Sequence, residues 1–77
     1  MGAFHVSSNY TGLTVQTIFK DGKPFTANIL DLRGKVLASH SGHGSEQFMF
    51  ERNSLPVGAY VLMLQHEGKI YSRLGIR

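Results

Sequence analysis

The chain has 77 residues, 42% of them hydrophobic, no cysteine, and eight basic against five acidic side chains for a net charge of +3. That length and composition predict one folded domain, 1–77, near the lower size limit for a self-sufficient core, and they exclude disulfide bridges and thiolate metal sites. No apolar run approaches the ~18 residues needed to span a bilayer, and residues 1–5 lack the basic and apolar regions of a signal peptide.

In chain order, residues 1–8 read as a linker or an added segment with at most a short strand at 4–6, ended by the polar, turn-rich stretch 7–12. Residues 13–19 follow as a strand, with Leu13, Val15 and Thr17 on one face. Asp21-Gly22 between two strand patterns predicts a tight hairpin, and Pro24, which has no N–H, belongs at the start of the next strand. There Phe25, Ala27 and Ile29 alternate with Thr26, Asn28 and Leu30, the pattern of a half-buried strand. Arg33-Gly34 turns the chain, and Val36, Leu37 and Ala38 return it.

Residues 40–45, composed of Gly, Ser and His, read as a flexible loop, and 47–50 as a short strand with Phe48 and Phe50 on one side. Leu55, Pro56, Val57 and Gly58 make a turn into an apolar strand that carries Tyr60 into the core. Residues 65–69 reverse the chain into a closing strand, 69–77, which leaves the terminal carboxylate at a sheet boundary. On that strand Ile70, Ser72, Leu74 and Ile76 share one face, and Tyr71, Arg73 and Arg77 the other. No stretch keeps the 3.6-residue apolar stripe of a helix for three turns, so six or seven short strands predict an all-β antiparallel sandwich.

Catalytic and metal-binding patterns are thin. His40 and His43 sit three apart with Glu46 the nearest carboxylate, short of the three or four convergent ligands zinc needs, and they read as exposed loop histidines. Ser41, His43 and Asp31 supply triad residue types without any spacing that implies triad geometry. A chain this small has little room for a deep pocket beside its core, so no enzyme activity and no cofactor is expected. The basic residues Lys20, Lys23, Arg33, Lys35, Arg52, Lys69, Arg73 and Arg77 are scattered, which argues against nucleic acid as a partner. Tyr10, Tyr60 and Tyr71 are the candidates for a sugar-stacking platform, and residues 9–11 match an N-glycosylation acceptor. Asp31 is placed to accept hydrogen bonds from the turn it precedes, with Gly34 at the positive-φ position and Arg33 and Lys35 solvated.

The order and spacing of Asp31-Leu32-Arg33-Gly34-Lys35, then Leu55-Pro56-Val57-Gly58-Ala59-Tyr60-Val61-Leu62, then a basic closing strand, resembles the type A C-terminal sorting domain of the type IX secretion system. The likeness covers nearly all of residues 9–77. It departs at Tyr10, where proline is usual, and at the ending Arg73-Leu74-Gly75-Ile76-Arg77, where a lysine-rich ending is commoner. The resemblance implies an immunoglobulin-like seven-stranded sandwich fused to the end of a cargo protein. Its role would be to direct the cargo from the periplasm through the outer-membrane translocon. A sortase-like peptidase would then remove the domain, leaving the cargo secreted or at the cell surface.

On this reading the partners are translocon and shuttle components, the peptidase and the fused cargo, with no insertion into the membrane. Lys69, Tyr71, Arg73, Leu74, Ile76 and Arg77 would be read by the translocon, while Asp31, Gly34, Lys35, Leu55, Pro56, Gly58 and Tyr60 would hold the motif turns. Two alternatives stay open. One is an adhesion or carbohydrate-binding module using Tyr10 and Tyr71, and the other a homodimer formed through an edge strand.

Overall fold

The computed structural model describes residues 4–77. Period-two alternation of apolar and polar side chains sets seven strands among them: β1 (Phe4–Ser8), β2 (Gly12–Thr17), β3 (Pro24–Leu30), β4 (Val36–His43), β5 (Gln47–Glu51), β6 (Ala59–His66) and β7 (Lys69–Ile76). A single 3-10 turn at Arg52–Ser54 joins β5 to the approach of β6. The strands form two antiparallel sheets, a three-stranded one in the order β1-β2-β5 and a four-stranded one in the order β4-β3-β6-β7. The all-β, seven-stranded antiparallel sandwich of the immunoglobulin-like class is therefore what these residues build. In the constant-type immunoglobulin arrangement the fourth strand lies beside the fifth. Here it pairs with the third, so three strands face four.

Every second side chain of the central strands enters the core. β2 contributes Leu13 and Val15, β3 contributes Phe25, Ala27 and Ile29, β5 contributes Phe50, and β6 contributes Tyr60, Leu62 and Leu64. Phe4, Phe19 and Leu55 complete the cluster. Cutting Ile29 or Leu64, each wholly excluded from solvent, back to alanine costs roughly 2–5 kcal/mol because a close-packed interior collapses only partly into the hole. Thr17 is the one buried polar side chain among the described residues.

Three local expectations are corrected. Asp21-Gly22 does not make a hairpin, because β2 and β3 belong to different sheets. The Gly22 amide closes a turn on the Phe19 carbonyl at 3.2 Å, and the chain crosses to the other sheet there. β2 accordingly stops at Thr17, and Phe19 drops into the core beyond it. The stretch 40–45 is not a loop throughout, since β4 runs to His43 and pairs with β3 as far as Pro24↔His43. Backbone pairing holds this Gly/Ser/His sequence in extended form where composition pointed to flexibility. Residues 4–8 form β1 with Phe4 buried, so this part of the assigned linker is built into the sheet, while residues 1–3 lie outside the described residues.

Candidate functional site

The residues singled out for recognition lie on β7, and a short turn fixes their placement. Glu67 and Gly68 both have positive φ, 51° and 79°, the backbone of a two-residue hairpin loop whose twist matches that of the flanking strands. This loop sets the register from His66↔Lys69 to Ala59↔Ile76. Tyr71, Arg73 and Gly75 then lie opposite Leu64, Leu62 and Tyr60, on the core side of the sheet. Ile70, Ser72, Leu74 and Ile76 lie opposite Gln65, Met63, Val61 and Ala59, on the outer side. The two faces divide as the alternation indicated, and the aliphatic one points to solvent. Ile70 is 63% exposed, Leu74 65% and Ile76 76%.

The inner side of β7 is occupied by contacts that an aliphatic side chain does not supply. The Tyr71 ring meets Phe4 edge-on at 6.1 Å and Phe19 at 6.3 Å. The Arg73 guanidinium lies over the Phe4 ring, 5.5 Å from its centre. Gly75 faces the ring of Tyr60, where a Cβ would come within 2.6 Å of the phenol oxygen. Burial of that ring pushes the Tyr60 phenol pKa up. β7 also ends its sheet, so its outer edge is unpaired among the described residues.

Arg77 ties the end of this strand to the second motif. Its backbone N–H donates to the Gly58 carbonyl at 2.8 Å, and its guanidinium Nη1 donates to the Leu55 carbonyl at 2.8 Å. The turn of Leu55, Pro56, Val57 and Gly58 thus grips the last residue through two of its carbonyls. The first motif is equally well made. Asp31 Oδ1 accepts the amides of Arg33 and Lys35, both at 2.9 Å, and the Gly34 amide reaches the Asp31 carbonyl at 3.0 Å with Gly34 at φ 91°. The Lys35 amide above all, then that of Arg33, holds the Asp31 carboxyl below its ordinary range. Leu30 pairs with Val61, and Val61 with Leu74, so this turn sits at the same end of the four-stranded sheet as Gly58 and Arg77.

Lys69 stands at the opposite end of β7, next to a second group of charges. There the Lys23 ammonium meets Glu67 at 3.1 Å, which raises the lysine's pKa. His66 stacks on Phe19 at 3.8 Å and bonds Asp21 at 3.1 Å. The Lys23 amide, followed by His66, keeps the Asp21 carboxyl low.

The exposed-loop reading of His40 is also corrected. Its ring stacks on Phe48 at 3.9 Å and its Nε2 meets Glu46 Oε1 at 2.6 Å, so it is half-buried between the two sheets. The hydrogen bond to His40 is the main cause of a lowered Glu46 carboxyl pKa. Neither the stacking nor this pairing was legible from spacing. No three His, Asp or Glu side chains converge to hold a metal among the described residues.

The aromatic platform does not assemble. Tyr71 packs with Phe4, whereas Tyr10 follows the far end of β1, 84% exposed beneath the Arg52 guanidinium. Asn9, the candidate glycosylation residue, uses its Oδ1 to accept the amides of Thr11 at 2.9 Å and Gly12 at 3.1 Å. The best-defined surface is therefore the free edge and outer face of β7. No protein-family model, no curated protein and no solved structure matches the chain.

Proposed function

We propose that this domain is a sorting signal that directs a fused cargo protein through the type IX outer-membrane translocon. A sortase-like peptidase would then remove it, leaving the cargo at the cell surface or in the medium. The observation that carries this reading is convergence. The Asp31 turn, the Leu55–Gly58 turn and the end of β7 are separate in sequence and lie together at one end of the four-stranded sheet. A receptor that approaches there meets an unpaired strand edge and exposed Leu74 and Ile76, the elements needed for strand addition.

The test is to fuse residues 1–77 to a reporter bearing a periplasmic signal peptide. Export is then followed in a bacterium with a working type IX system and in a translocon-null strain. Surface or extracellular reporter that depends on the translocon is the expected result. Leu74→Ser with Ile76→Ser, on side chains that leave the core untouched, is expected to strand the reporter in the periplasm. Undiminished export by this variant would remove β7 from the mechanism, and a reporter that is periplasmic in both strains would remove the sorting role.

A further inference from the structure

We propose that β7 receives an extended, acidic strand from its partner. That strand would carry carboxylates opposite Lys69 and Arg73, and aliphatic side chains continuing the face of Ile70, Leu74 and Ile76. This inference rests on the reading of β7 as the recognition strand and adds the chemistry of what it recognises.

The backbone supplies the first part of the argument. In an antiparallel pair, alternate residues exchange their hydrogen bonds with the neighbour and the residues between them point away. The Arg77 amide bonds the Gly58 carbonyl, which fixes the parity. Odd-numbered residues of β7 therefore bond β6, and Ile70, Ser72, Leu74 and Ile76 direct their N–H and C=O groups to the free edge. An added strand would find four consecutive docking residues there. The same four bear the outward side chains, so its outward aliphatic residues would extend an existing apolar stripe.

Charge selects the occupant. The core-side face of β7 carries Lys69 and Arg73, and β7 contains no acidic residue. A second copy is a poor match. In a two-fold antiparallel pairing centred on Arg73, Arg73 would face its own copy and Lys69 would face Arg77, placing like charges directly opposite. Centred on Ser72, Arg73 would still lie diagonally across from its copy. Inward-pointing charge is a recognised device against edge-to-edge self-association, and it leaves the edge open to a strand of opposite charge. β4, the other edge of this sheet, lacks the stripe. Beyond Val36 its outward positions opposite Asn28, Thr26 and Pro24 are Ser39, Ser41 and His43.

The test uses two synthetic, fluorescently labelled peptides that alternate Val or Thr on one face with Glu, or with Lys, on the other. Each is titrated against the 77-residue chain at low and high salt. The Glu peptide is expected to bind at least about tenfold more tightly than the Lys peptide, with the preference shrinking as salt rises. Amide exchange is expected to slow at Ile70, Ser72, Leu74 and Ile76. Lys69→Glu with Arg73→Glu is expected to invert the preference. Ser72→Pro removes an edge-facing N–H without touching a ladder bond to β6, and is expected to abolish binding while far-UV circular dichroism is unchanged.

Equal affinity for both peptides, no binding, protection at β1, β4 or β5, or a β7-mediated dimer in light scattering would each overturn the proposal. The reporter fusion separates it from the sorting role. Translocon-dependent export without Glu-peptide binding sinks this inference alone. Glu-peptide binding without export sinks the sorting role and leaves the acidic-strand site standing.

Discussion

Thr17→Val is the substitution whose cost follows most directly from geometry. The side chain is wholly buried, and its hydroxyl does two jobs at once. It donates to the Gly44 carbonyl at 2.9 Å and accepts the Glu46 amide at 3.0 Å. With the Thr17 amide on the Glu46 carbonyl at 2.9 Å, these bonds fasten the β4–β5 connection to β2. Valine has nearly the same shape but neither donates nor accepts, so a buried carbonyl and a partly buried amide lose their partners. Each orphaned group costs about 1–3 kcal/mol, and the added methyl recovers part of it, for a net loss of about 2–4 kcal/mol.

A chain of this length has roughly 4–12 kcal/mol of total stability, so the loss is a large fraction of it. With a urea m-value near ~1 kcal/mol/M, the midpoint should fall by about 2 M or more. Thr17→Ser keeps both hydrogen bonds, gives up one methyl, and should lose only about 1 kcal/mol. The assay is urea denaturation followed by circular dichroism and tyrosine fluorescence, the chain having three tyrosines and no tryptophan. A Thr17→Val midpoint indistinguishable from wild type, or a Thr17→Ser loss equal to that of Thr17→Val, would refute the hydrogen-bond account.

Further outcomes are expected at two glycines and at the carboxylates. Gly12→Ala should destabilise by about 3 kcal/mol or more, since the new Cβ would press on the Phe50 carbonyl oxygen and lie 3.1 Å from the Arg52 amide, both backbone groups that cannot rotate away. Gly34→Ala, at φ 91° with open space around it, should cost only about 1 kcal/mol in the same denaturation assay. The carboxyls of Asp21, Asp31 and Glu46 are all held below their ordinary values of 3.8, 3.8 and 4.5. A depressed carboxyl stabilises the fold fully above its unfolded value and loses that contribution as pH falls through the lower folded one. Thermal melts should therefore lose midpoint temperature below about pH 4.5, and Asp31→Asn should make that acid limb shallower. An unchanged acid limb in Asp31→Asn would show that the turn's amides do not act through the carboxylate.

Alternation and turn chemistry made most of the sandwich legible. Phe25, Ala27 and Ile29 went inward as their spacing required, Tyr60 joined the core, and Asp31 with Gly34 built the expected turn. Misreadings arose where a local signal had two tertiary outcomes. Asp-Gly can close a hairpin or a crossing turn, and only the choice of sheet for β3 decides between them. Gly, Ser and His at 40–43 form a strand because β3 offers a ladder to pair with. The parity of β7 was readable, but its inward side was not. That depends on Phe4 receiving Tyr71 and Arg73, and on Gly75 making room for Tyr60, across some 15 to 70 residues of sequence. The stacked His40–Phe48 and His66–Phe19 pairs leave no periodic trace at all.

The unequal strand count has a consequence for how anything can approach this domain. A narrow roof on a wider floor leaves an eave along each long side, where the inward side chains of β4 and β7 are half-buried or exposed. Under one eave sits an imidazole paired with a carboxylate, His40 with Glu46. Under the other sit Tyr71 and the permanently cationic Arg73. The two flanks of the molecule thus differ in chemistry, one closed by a hydrogen-bonded imidazole and carboxylate and the other lined by a phenol ring and a guanidinium. The fold itself gives the domain a left and a right.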